Sequence, residues 1–173
     1  MSLLTFVVGS AADVFGGDLA RAVDAELRTR FALAASEGAE AYRSEPVDAI
    51  GWLHLQQRAG DLLGRDTIPN IASIEAYQAV YISAALDHID HVPIPQAADP
   101  LQVGSVPKLL DELRRFAASA ALPTDDVELM QLAAHYLESD ELFDQDLDVQ
   151  MYVQLMLSAK QAAARGDALW VVT

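Results

Sequence analysis

No cysteine occurs among the 173 residues, which excludes a disulfide framework, a thiolate metal site and a cysteine nucleophile. Basic residues are scarce: two lysines and nine arginines stand against 26 acids, and the formal charge is −15. Such a surface repels phosphate backbones and anionic membranes, so nucleic acid and lipid are not expected partners. No apolar run approaches the ~18 residues of a membrane span. The opening stretch, Met1–Phe15, is apolar over too few residues, and has no base before its apolar run, to read as a leader. These absences predict a cytoplasmic protein, and the length predicts a single domain over residues 1–173. The excess of arginine over lysine, together with the many alanines, fits a GC-rich bacterial genome.

The shortage of bases is local. Residues 116–159 hold no Lys or Arg but nine acids, leaving 17 acids against 11 bases, a balance of −6, elsewhere. A basic protein or a cation is what such a segment attracts.

What is abundant is apolar sequence with helical spacing. In Asp146–Arg165 the residues Leu147, Val149, Met151, Tyr152, Val153, Leu155, Met156 and Leu157 are too frequent to line one stripe. A helix apolar around most of its circumference must be covered by neighbours, which predicts a buried central helix. Its polar line, Gln150, Gln154, Ser158 and Gln161, predicts a thin strip facing solvent.

Ahead of it, Leu3–Val8 reads as a strand. A helix follows from Leu19 to about Ala35, with Leu19, Val23, Leu27 and Phe31 on one face. Ser44-Glu45-Pro46 predicts the start of a second helix reaching Gly64 through Val47, Ile50, Leu53, Leu62 and Leu63, with Trp52 or His54 near the surface. Ile71–Ile89 carries enough apolar residues for a third. Four of the seven prolines then fall in residues 93–107, predicting the longest non-helical connection, laid across helix ends. Ser105 and Pro107 start a helix that stops before Pro123. Thr124 is the expected cap of another, striped by Val127, Met130, Ala134 and Leu137. After the central helix, Gly166 leads into a strand, Leu169–Val172. Two lone strands are marginal unless paired, so these two are predicted to share a small sheet. The fold class is thus mainly α (α+β), about six helices around the buried C-terminal helix.

The densest set of metal-ligand types is Asp87-His88-Ile89-Asp90-His91. On a helix, i, i+3 and i, i+4 spacing would put Asp87, His88, Asp90 and His91 on shared faces, with Glu75, His54 or His135 completing a site. Asp144-Gln145-Asp146-Leu147-Asp148 opens like a calcium loop but has Val149 where glycine is needed and Leu155 where glutamate is needed. Gly9-Ser10 and Gly16-Gly17 flank the first strand and helix, yet no phosphate-loop pattern is present and Ser10 lacks the G-x-S-x-G setting of a nucleophile.

Ile50-Gly51-Trp52-Leu53-His54-Leu55 and the closing Ala162–Val172 segment, helix, glycine turn and apolar strand, resemble the YfbM-like family of small bacterial proteins. The order of elements is similar as well. The resemblance implies a mostly helical α+β domain and brings no catalytic residues. The sequence as a whole predicts a non-enzymatic binding domain, of inhibitor or immunity type, that meets a basic partner through Glu138, Asp140, Glu141 and Asp144. No cofactor is expected. The alternative is a metal-binding protein or metal-dependent enzyme built on the Asp87–His91 cluster.

Overall fold

The two ends of the chain lie side by side. In the computed structural model, which describes residues 2–33, 38–76, 79–95, 97–138 and 146–173, strand β1 (Leu3–Gly9) pairs antiparallel with β7 (Ala168–Val172). Phe6 stands opposite Val171, and Val7 opposite Trp170. The predicted pairing is present, but it is the middle of something larger. Seven strands form one mixed sheet, in the order β2 (Tyr42–Arg43), β1, β7, β4 (Ala79–Ile82), β6 (Leu101–Ser105), β5 (Asp90–Val92). A two-residue β3 (Val47–Asp48) pairs with the start of β1. β4 and β6 run parallel, and the other pairings are antiparallel.

The central strands β1, β7 and β4 are covered on both faces, which is why they read as nearly continuous apolar runs. Leu4, Phe6 and Val8 of β1, Ala79 and Tyr81 of β4, and Leu169 and Val171 of β7 face one layer. That layer is built from α2 (Ile50–Leu63), α3 (Pro69–Ala72), α4 (Val106–Ala120), α5 (Asp126–Glu138) and α6 (Leu147–Arg165). The alternate residues Val7, Val80, Ile82, Val103 and Trp170 face α1 (Gly17–Phe31), which covers them with Ala20, Val23 and Leu27. Helix α6 is the centre of its layer as predicted: Met151, Tyr152, Val153, Leu155, Met156, Ala159 and Ala162 are all fully buried.

Three expectations are corrected. The helix over Ile71–Ile89 does not form. Its place is taken by the short α3, then β4, then a turn into β5. Ala79, Val80, Tyr81 and Ile82 are buried on both sides of a strand, and that pattern is the same as the one a buried helix leaves in sequence. The proline-rich connection contains β6, a strand paired on both edges. Its Gly104 sits where a Cβ would come within 2.6 Å of the Tyr81 ring and 2.8 Å of Asn70 Oδ1, so only glycine lets these elements close. Finally, Pro46 precedes β3, and α2 begins at Ile50. Trp52 is buried, its indole N–H donating to the carbonyl of Ile74 at 2.8 Å, while Ile50, Leu53 and Leu62 face outward.

Candidate functional site

Of the described acids of the acidic segment, Asp146 and Asp148 stand at the start of α6, and helix α5 with its cap carries the other four, Asp125, Asp126, Glu128 and Glu138. Asp125 caps it rather than the expected Thr124: its carboxylate accepts the backbone N–H groups of Val127 and Glu128 at 3.1 and 3.2 Å. Only Leu129 of this helix is fully buried, with Leu132 and Ala133 partly covered. Tyr152 of α6 donates its hydroxyl to the Pro123 carbonyl at 2.6 Å, and Lys160 binds the Thr124 carbonyl and Asp126, which together fix the start of α5 on α6.

The apolar stripe read from the sequence is real but points to water. Val127, Met130 and Leu137 are 61%, 62% and 61% exposed, and Ala134 between them is exposed too. One residue further round the helix runs a parallel polar line, Glu128, Gln131, His135 and Glu138, all exposed. Beyond that line, Leu122, Pro123 and Leu132 floor an open groove of about 640 Å³ that Glu128, Gln131 and His135 border. Of the expected partner-contacting residues, Glu138 is exposed at the end of α5, and Asp140, Glu141 and Asp144 lie outside the described residues. Asp148, counted with the acidic run, turns inward instead and pairs with Arg58 at 2.6 Å, and the Arg58 guanidinium lies 5.8 Å from the Phe116 ring centroid.

The Asp87–His91 cluster is not helical, so the reasoning from helical spacing does not apply. Asp87 and His88 are exposed in a bend, and Asp90 and His91 open β5, where neighbouring side chains point to opposite faces. Asp90 Oδ1 accepts the backbone N–H of His91 at 3.0 Å. His54 and His135 stand on α2 and α5. Among the described residues no three His, Asp or Glu side chains come together in a way that could hold a metal ion.

Two buried polar groupings were not foreseen. On α6, Gln154 and Ser158 do not face solvent. Ser158 donates to the Gln154 carbonyl at 2.6 Å, and Gln154 Oε1 accepts the backbone N–H of Glu45 at 3.3 Å. Tyr42, whose hydroxyl pKa is raised by burial and lowered in part by its bond to Ser158, closes this set. Deeper in the layer, Glu112 of α4 is 3% exposed and accepts the N–H groups of Asn70 and Ile71 at 3.1 and 2.9 Å, plus the Asn70 side-chain amide at 2.9 Å. Asn70 Oδ1 accepts from Ser105 N at 2.9 Å, and the Asn70 carbonyl accepts the Tyr81 hydroxyl at 2.7 Å. Burial pushes the Glu112 carboxyl above its usual range, and the hydrogen bonds from Asn70 and Ile71 pull the other way. Every buried side-chain N or O among the described residues has at least one partner, and this network holds α3 against α4 and β6.

A crevice of about 350 Å³ lies outside the carboxyl ends of β1 and β4, under α1, with Ser10, Ser83, Arg28 and Trp170 in its wall. Arg28 is paired with Asp24 at 2.7 Å, and Ser10 donates both its backbone N–H and its hydroxyl to Asp13. No histidine lines it, and the Ser10 hydroxyl is bonded to the Asp13 carboxylate at 3.0 Å.

Comparison with known protein families, with curated proteins and with solved structures finds no match to this chain. Among the described residues, no helix is long and apolar enough to cross a membrane.

Proposed function

We propose that the protein is a non-enzymatic, cytoplasmic binding domain of inhibitor or immunity type that engages a basic partner through its acidic C-terminal half, and that it is kin to the YfbM-like family. The observation that carries this reading is α5. It carries Asp126, Glu128 and Glu138 and no Lys or Arg. It is held to the body by Leu129, by the partly covered Leu132 and Ala133 and by the bonds of Tyr152 and Lys160 at its start, with its apolar stripe left in water. Ordinary surface helices bury their apolar stripe, and an exposed one rimmed by charge is a feature of interaction surfaces.

A pull-down from the native host at low salt, eluted by a salt gradient and read by mass spectrometry, tests it. One basic protein released at moderate salt in near-equal amount is the expected result, because screening weakens steering between opposite charges. Neutralising Glu138, Asp140, Glu141 and Asp144 together is expected to weaken that complex at least about tenfold. Unchanged affinity in that variant would remove the acidic segment as the site.

A further inference from the structure

We propose that the exposed face of α5 docks a basic amphipathic helix of the partner protein, laid along Val127, Met130, Ala134 and Leu137 with its cations over Glu128 and Glu138. This deepens the protein-binding reading above and rests on it. The spacing of the stripe is i, i+3, i+7, i+10, which makes a straight ridge about 15 Å long at 1.5 Å per residue. Three turns of a second helix match that length, and helices meet through ridges of this spacing. Among the described residues, the large hydrophobic side chains left exposed are Leu3, three on α2 (Ile50, Leu53 and Leu62) and three on α5, and those of α5 lie beside a line of acids.

Charge decides between possible occupants. The line Glu128, Gln131, His135, Glu138 runs parallel to the ridge, and Asp125 and Asp126 precede it. A second copy of the chain, at −15, would set these acids against their own kind, and an anionic bilayer would do the same. A helix with lysines or arginines one position off its apolar stripe satisfies both lines at once. The open groove floored by Leu122, Pro123 and Leu132 leaves room for their long side chains beside Glu128 and His135.

The test uses the whole protein and a synthetic peptide of about four helical turns, with Leu at i, i+3, i+7 and i+10 and Lys or Arg one residue after each. A scrambled peptide of the same composition is the control. Fluorescence anisotropy is expected to show binding of the patterned peptide at least about tenfold tighter than the scrambled one. Met130→Ser with Leu137→Ser, and separately Glu128→Lys with Glu138→Lys, are each expected to abolish that difference. Their melting temperatures are expected to match the parent, since the side chains changed are exposed. Equal binding of both peptides, or binding unaffected by Met130→Ser with Leu137→Ser but lost on charge reversal, would overturn helix docking while leaving an electrostatic binding surface. Binding unaffected by either pair would overturn both readings. A concentration-dependent dimer in sedimentation, dissolved by Met130→Ser, would assign the stripe to a second copy and overturn the proposal.

Discussion

A carboxylate inside an apolar layer has to justify its place by the bonds it makes, and Glu112 does so by ending two backbone N–H groups and one amide of the α3 turn. Removing it in Glu112→Ala leaves those donors buried and unpaired, and a loss of about 3 kcal/mol in urea unfolding is expected. The pH dependence follows from burial. The carboxyl pKa lies above its ordinary value near 4.5, so the folded protein holds a proton there at pH values where the unfolded chain has released it. This site's contribution to stability is therefore greatest below that ordinary value and falls as pH rises through the raised one. Urea titrations across the acid range should show that fall in the parent and a flatter profile in Glu112→Gln, which cannot titrate. A steeper fall in the variant would contradict the assignment. Nothing in the spacing of Glu112 marks it as buried. It follows Asp111, and only the meeting of α4 with α3 separates the two, one exposed and paired to Arg115, the other enclosed.

At the scale of the element, α5 shows how far periodicity reaches. Its apolar residues satisfy helical spacing in two frames, Val127, Met130, Ala134, Leu137 and Leu129, Leu132, Ala133. Either could have been the buried side. The second is, through Leu129. Leu129→Ala is accordingly expected to lower stability by about 2–4 kcal/mol, measured by thermal unfolding, while Met130→Ser stays within about 0.5 kcal/mol of the parent. Equal effects would mean that the stripe is covered after all. Helix α6 posed no such choice, because a helix apolar nearly all round has to be central whatever surrounds it. The third helix expected over Ile71–Ile89 failed for the opposite reason: a short apolar run buried on both faces has no period to read, and Pro69 and the turn around Ser83–Leu86 were too weak to cut it correctly.

For the molecule as a whole, the sheet is closed by its own ends. β7 lies between β1 and β4, so the last strand supplies hydrogen bonds to both neighbours and places Leu169, Trp170 and Val171 in both core layers. Deleting residues 168–173 is expected to abolish the cooperative thermal transition, since β1 and β4 would be left with open edges and both layers with a missing wall. A truncated chain that still melted cooperatively would show that the layers hold without the joining strand. The charge of the molecule is arranged on a different plan from its core. Acids of the segment without bases are divided between the surface, as Glu128 and Glu138, and the interior, as Asp148 with Arg58.

The amino-acid sequence by itself determined the central helix, the two terminal strands, the placement of α1, α4 and α6, and the run without bases, because each depends on local periodicity, capping or composition. Tertiary structure alone decided the breadth of the sheet, the inward turn of Gln154 and Ser158, the inner face of α2 and the outward turn of the α5 stripe. The physical reason is the same in each case. A residue's spacing states which neighbours share its side of an element, but which side loses its water is settled only when distant segments come together.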